Sequence, residues 1–105
     1  MKKLILVTGG DGRFAKILKK NNKKLNLYLS TKKECNILNI NSIEKIIIKL
    51  KPKIIMHCAG LSRPMSIHEK NISKSIDLNI IGTANIVKLC EKYKIKLIYF
   101  STGYV

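Results

Sequence analysis

Tryptophan is absent, aromatic residues make up only 6% of the chain, and Asp plus Glu number 6 against 21 Lys plus Arg. With so few carboxylates, and with His57 and His68 as the only histidines, no ligand set for a metal ion is expected. His57 reads as a strand-end packing residue and His68 as a loop residue. The three cysteines, Cys35, Cys58 and Cys90, are odd in number and far apart. They match neither a zinc spacing nor a disulfide framework, which points to a reduced, cytoplasmic setting. None is expected to be catalytic, and Cys58 and Cys90 fall where Cys serves as a small buried hydrophobe. Long apolar runs are missing too: no window approaches the roughly 20 residues of a membrane span. Met1–Thr8 opens with a charged pair and an apolar run. That run is too short for a signal peptide and meets Gly9-Gly10-Asp11-Gly12, so it reads as a strand. The 105 residues suit one domain, 1–105, with no linker, internal repeat or low-complexity tail.

The formal charge of +15 raises the question of nucleic acid. Nearly all of it is Lys, with Arg13 and Arg63 the only arginines, and Lys accompanies abundant Ile and Asn as an A/T-rich coding sequence would dictate. The lysines are spread along the chain instead of clustering with aromatics, so they read as a solvated surface. Such a surface still favours anionic ligands such as nucleotides.

What is present is organised around Leu4–Ala15. The run Leu4-Ile5-Leu6-Val7 is a buried strand, Thr8-Gly9-Gly10-Asp11-Gly12 a glycine turn, and Arg13–Asn21 a short helix with Phe14, Ile17 and Leu18 inward and Lys16, Lys19 and Lys20 outward. Strand, glycine turn and helix in that order build a phosphate site: the backbone turns tightly, and the helix N-terminus faces the anion. A second strand is predicted over Leu25–Ser30 and a brief third around Cys35–Leu38. A helix capped by Asn41 or Ser42 follows, carrying Ile43, Ile46, Ile47 and Leu50, and Pro52 stops it. Ile54–Gly60 lacks alternation and reads as a buried parallel strand. The longest helix, about Glu69–Tyr93, presents Ile72, Ile76, Ile80, Thr83, Val87 and Cys90 as one stripe. A last strand, Lys96–Phe100, leads into Ser101-Thr102-Gly103-Tyr104-Val105. Alternating strands and helices predict an α/β, Rossmann-like, doubly wound parallel sheet, cut short after its fifth strand. In such a sheet ligands bind beyond the carboxyl ends of the strands. Gly9–Gly12, Ser30–Lys33, Ala59–Ser62 and Ser101–Thr102 all fall on that rim.

Four motifs in order then resemble the extended short-chain dehydrogenase/reductase family, the NAD(P)-dependent epimerases, dehydratases and reductases of nucleotide sugars. Thr8–Ala15 matches T-G-x-x-G-x-x-G/A, and His57-Cys58-Ala59-Gly60 is similar to the strand end that lines the cofactor. Asn79–Asn85 matches N-x-x-G-T-x-N, and Ser101–Val105 is similar to the S-T-D-Y-V segment of the dTDP-4-dehydrorhamnose reductase branch. The resemblance implies that Gly9, Gly12, Arg13 and Phe14 lie against the dinucleotide diphosphate, Asn36 and Ile37 beside the adenine, and Gly60, Leu61 and Ser62 along the nicotinamide ribose. Asn79 and Thr83 would tie the long helix to neighbouring backbone. Thr102 would be the active-site hydroxyl that hydrogen-bonds the substrate oxygen, beside a Gly103 where the family has Asp. No acidic residue stands in Ser30-Thr31-Lys32-Lys33, and two lysines do, so NADP is favoured over NAD.

The family's Tyr-x-x-x-Lys pair belongs on the helix after the fifth strand, where Tyr is the general acid/base. The 105 residues end before that helix, and Tyr93 has the wrong spacing on the wrong element. Two functions follow from the resemblance. The chain is the amino-terminal, cofactor-binding part of a nucleotide-sugar oxidoreductase, inactive alone and meeting its sugar nucleotide only with a carboxy-terminal lobe, or it is a non-catalytic nucleotide-binding module. Neither nucleic acid nor membrane is an expected partner. A last strand without a neighbour predicts self-association along the exposed sheet edge.

Overall fold

The computed structural model describes residues 3–10, 12–58 and 80–99. Strands β1 (Leu4–Thr8), β2 (Asn26–Leu29), β3 (Ile54–His57) and β4 (Lys96–Tyr99) form one sheet in the order β2-β1-β3-β4, with every pairing parallel. The helices are α1 (Arg13–Asn21), α2 (Ile40–Leu50) and α3 (Gly82–Tyr93). The doubly wound parallel arrangement is as predicted, with two differences in count and boundary. Cys35–Leu38 is not a strand. The Asn36 side chain accepts from Leu38 N–H at 3.1 Å, closing a local turn that competes with sheet pairing, so β4 is the fourth described strand, not the fifth. The cap of α2 is Asn39, whose carboxamide oxygen accepts from Asn41 N–H at 3.0 Å, not Asn41 or Ser42. Pro52 does follow the end of α2, after Lys51 has turned left-handed at φ 50°.

Alternation along the strands divides the core between two faces. Leu6, Ile55 and Leu97 face α2 and α3, where they meet Ile43, Ile46, Ile47, Ile86, Leu89 and Cys90. Ile5, Val7, Leu27, Met56 and Ile98 face α1. On α1 the buried residue is Ala15, with Phe14 and Leu18 half-buried, whereas Ile17, expected inward, is 50% exposed. A small residue lets the short helix approach the sheet closely, and that approach rotates Ile17 outward.

The face of α3 also departs from expectation. Gly82, Ile86, Leu89 and Cys90 are buried, while Ile80 and Val87 are exposed. Apolar residues are so frequent on this segment that two stripes sharing Cys90 can be drawn. The contact with Ile37 selects between them, because a Cβ on Gly82 would lie 2.5 Å from Ile37 Cδ1. Asn85 fixes the same junction by donating to the Ile37 carbonyl at 2.8 Å, and Lys92 and Tyr93 both donate to Glu44 of α2 at 2.7 Å. The part of the predicted long helix before Ile80 lies outside the described residues. Among the described residues no helix is long and apolar enough to cross a membrane, and no group of His, Cys, Asp or Glu could hold a metal ion.

Candidate functional site

The turn after β1 is built by backbone proximity. Gly9 takes a positive φ of 66°, and Gly10 N–H donates to the Ser30 carbonyl at 2.7 Å. Gly10 is buried so tightly that a Cβ there would sit 2.5 Å from the Leu29 carbonyl carbon, so only glycine brings the turn against the end of β2. Gly12 then caps α1 without a side-chain hydrogen bond, and the first turn of the helix carries no acidic residue. Arg13 is exposed at the first helical position and Phe14 is half-buried. The result is a helix that opens on a glycine, flanked by a cation and approached by bare backbone, an arrangement suited to an anion.

The remaining predicted residues divide. Asn36 is half-buried, its N–H donating to Ser42 Oγ at 3.0 Å and its side chain committed to the turn. Ile37 is 3% exposed and packs in the core, so its side chain serves the α3 contact. Gly60, Leu61, Ser62, Asn79 and Thr102 lie outside the described residues. Ser30 is fully buried and donates to the Val7 carbonyl at 2.7 Å. Lys32 is exposed, and Lys33 lines a groove of about 470 Å³ against Lys45 and Lys49 of α2.

Two features escaped the sequence reading. Glu34, one residue beyond the Ser30–Lys33 segment, folds back to accept from Thr31 N–H at 3.1 Å and from the Tyr28 hydroxyl at 2.5 Å. Those two bonds hold its carboxyl below the usual range, the tyrosine bond contributing most, and the same bond raises the Tyr28 hydroxyl. Tyr28 and Lys32 do have Tyr-x-x-x-Lys spacing, but Tyr28 lies on a strand and its hydroxyl is pushed away from the range of a general base. Second, His57 is not a bland packing residue. It is 1% exposed, with Nδ1 2.7 Å from Thr8 Oγ1 and Nε2 3.1 Å from Thr83 Oγ1. Thr83 thus ties α3 to a ring nitrogen, not to backbone. Burial lowers the His57 pKa to about 4 and raises Cys35, Cys58 and Cys90 each to about 11, so the ring is neutral and the thiols inert near neutral pH. The available signal was a polar residue at the same rung of two adjoining apolar strands, Thr8 opposite His57.

With this geometry in place, comparison with known proteins decides the family. The whole chain, residues 1–105, matches the family described as the RmlD substrate binding domain. The chain belongs to that family. Among solved structures, the dTDP-4-dehydrorhamnose reductase of Bacillus anthracis, crystallised with NADP, superposes with a TM-score of 0.84 at 29% identity over 96% of this chain and 36% of its own. The UDP-rhamnose synthase of Acanthamoeba polyphaga mimivirus shares the fold, with a TM-score of 0.83 at 19% identity over 98% of this chain and 38% of its own. A curated relative, the methionine adenosyltransferase 2 subunit beta of Danio rerio, is 33% identical over 69% of this chain and 21% of that protein. This RmlD-family chain therefore spans about a third of the reductase and a fifth of the subunit, and it matches the amino-terminal, cofactor-binding part of the reductases.

Proposed function

We propose that the chain is the NADP-binding portion, residues 1–105, of an oxidoreductase that moves hydride to or from a keto-sugar nucleotide. The observation that carries this reading is the Gly9–Gly12 turn, where a Cβ at Gly10 would lie 2.5 Å from the β2 backbone and a glycine, Gly12, opens α1. Gly9, Gly12, Arg13 and Phe14 would hold the diphosphate. Asn36 and the backbone at Ile37 would flank the adenine, and Gly60, Leu61 and Ser62 would follow the nicotinamide ribose. Bound NADP(H) supplies or accepts the hydride. Thr102 would hydrogen-bond the substrate oxygen, and the general acid/base and the sugar pocket would come from residues other than these 105. The reductase and the heptose C4 reductase of Campylobacter jejuni, both crystallised with NADP, support NADP over NAD. A cytoplasmic setting goes with the three free, buried thiols. β4 has a strand on one side only among the described residues, so the isolated chain is expected to self-associate along that edge, a point sedimentation velocity settles.

The direct test is calorimetric titration of the chain with NADP, repeated on Gly12→Asp. Gly12 has φ −80° and ψ 161°, which any residue adopts; a Cβ there would lie 3.2 Å from the Gly9 carbonyl oxygen, a close contact that the good helix cap Asp offsets. The variant should stay folded yet bind NADP at least about tenfold more weakly, because its carboxylate competes with the diphosphate. Equal affinity in the two proteins refutes the site. A second reading, a nucleotide-binding module acting within an assembly, is favoured by the relative named as a subunit of a methionine adenosyltransferase. Hydride transfer by the chain fused to the remainder of a family reductase would decide for the first reading, and NADP binding without transfer for the second.

A further inference from the structure

Thr8, His57 and Tyr99 occupy one rung at the carboxyl end of β1, β3 and β4, on the face covered by α3. His57 touches every element that meets there. Its Nδ1 meets Thr8 Oγ1 at 2.7 Å, its Nε2 meets Thr83 Oγ1 at 3.1 Å, and its ring stacks on Tyr99 with centroids 5.5 Å apart and planes 22° apart. The amide of Cys58, the next residue, donates to the same Thr8 oxygen at 3.0 Å. Thr8 immediately precedes the glycine turn, and Cys58 immediately precedes the segment that begins at Ala59.

Resting on the NADP reading above, we infer that His57 is a positioning residue that locks the glycine turn after β1 and the chain leaving β3 to the first turn of α3. Packing alone would be met by any ring of this size. A ring that bonds on both sides does something more, because it fixes the two strand ends relative to the helix and to each other. A neutral imidazole has one donor and one acceptor nitrogen, and a threonine hydroxyl meets each of them, so both ring nitrogens are filled whichever of them carries the proton. The described groups that meet the ring are the hydroxyls of Thr8 and Thr83 and the ring of Tyr99. Protonation would turn the accepting ring nitrogen into a donor and undo the bond in which a threonine hydroxyl donates to it. The clamp is therefore built for the neutral ring.

The test compares the chain with His57→Leu, which keeps volume, with His57→Gln, which keeps one donor and one acceptor, and with Thr83→Val, which removes only the α3 hydroxyl. Amide exchange is followed at Gly10 and Cys58, whose N–H groups bond Ser30 O and Thr8 Oγ1, relative to Leu6, which reports global opening. In Leu and Val variants, Gly10 and Cys58 should exchange about tenfold faster relative to Leu6, and NADP should bind about tenfold more weakly, the loss expected for one buried hydrogen bond that orders a site. Gln should recover part of both, and Leu plus Val together should be no worse than Leu alone. Imidazole ¹⁵N shifts should show one protonated ring nitrogen down to about pH 5. If His57→Leu does not fold, Thr83→Val carries the same comparison. Unchanged relative exchange, or altered exchange with unchanged NADP affinity, overturns the inference. Faster exchange in a chain whose parent form never binds NADP upholds the clamp and removes the NADP reading instead.

Discussion

The two faces of the sheet are held together in different ways. Against α2 and α3 the core is thick: Leu6, Ile43, Ile55 and Ile86 are all fully buried, and the two helices are joined by Glu44, Lys92 and Tyr93. Against α1, among the described residues, the helix contributes less: its nine residues offer Ala15 as the buried one and seat Phe14 and Leu18 only part-way. The glycine turn belongs to the thin side and the His57 clamp to the thick one. The difference teaches where stability and binding are separated. On the proposed reading, a turn that lets a diphosphate approach its backbone cannot also be covered by large side chains, and its rigidity is borrowed from the opposite face through Thr8 and His57.

The contrast breaks first at Ile55. Ile55→Ala removes a fully buried side chain from the thick face and should cost roughly 4 kcal/mol, while Leu18→Ala on the thin face should cost about 1 kcal/mol. Urea midpoints of the two variants give the ratio, and equal losses would mean the faces are energetically alike. Next comes acid. The His57 pKa is lowered from 6.5 to about 4, so the unfolded chain binds more protons than the native one across that interval. Stability is therefore fully present above about pH 6.5 and falls by about 3 kcal/mol as the pH drops to about 4. Glu34 and Glu44 are held below the ordinary carboxylate value of 4.5, so their losses come below it and leave the upper part of the window to His57. Denaturant titrations from pH 7 to 4.5 on the chain and on His57→Leu should show the slope in the first and a much flatter line in the second. The smallest effect sharpens the picture of the thick side. Lys94 ends α3 at φ 55°, a conformation that glycine adopts without strain, and Lys94→Gly should raise stability by about 0.5 kcal/mol. A melting temperature that stays put or falls would show that the lysine stem contributes packing that offsets its strain.

Much of this was legible beforehand, for reasons that differ by residue. The α1 boundaries, Arg13–Asn21, came out as read because a glycine turn and an Asn pair bracket a single amphipathic pattern. The parallel sheet was legible because strands alternate with helices and Ile54–Gly60 lacks the alternation of a half-exposed strand. Cys35–Leu38 was not, because Asn36 can serve either a strand or a local turn and the choice depends on its bond to Leu38 N–H. The stripe on α3 was misread because Ile80, Val87, Ile86 and Leu89 are interchangeable to a periodicity argument, and only the fit of Gly82 against Ile37 separates them. Glu34 was passed over because the acidic residue was sought within Ser30–Lys33, and its carboxylate reaches back over that segment from one position beyond.

By itself, then, the sequence determined the alternation of strands and helices, the glycine turn after β1 and the family, since these rest on local pattern and on residues adjacent in the chain. Only the tertiary structure decided that Gly10 must be bare because β2 passes behind it, that α3 turns Gly82 inward, and that His57 joins Thr8 to Thr83. Those are contacts between residues 20 to about 50 positions apart, and side-chain type alone does not say which distant polar groups will be buried within reach of one another.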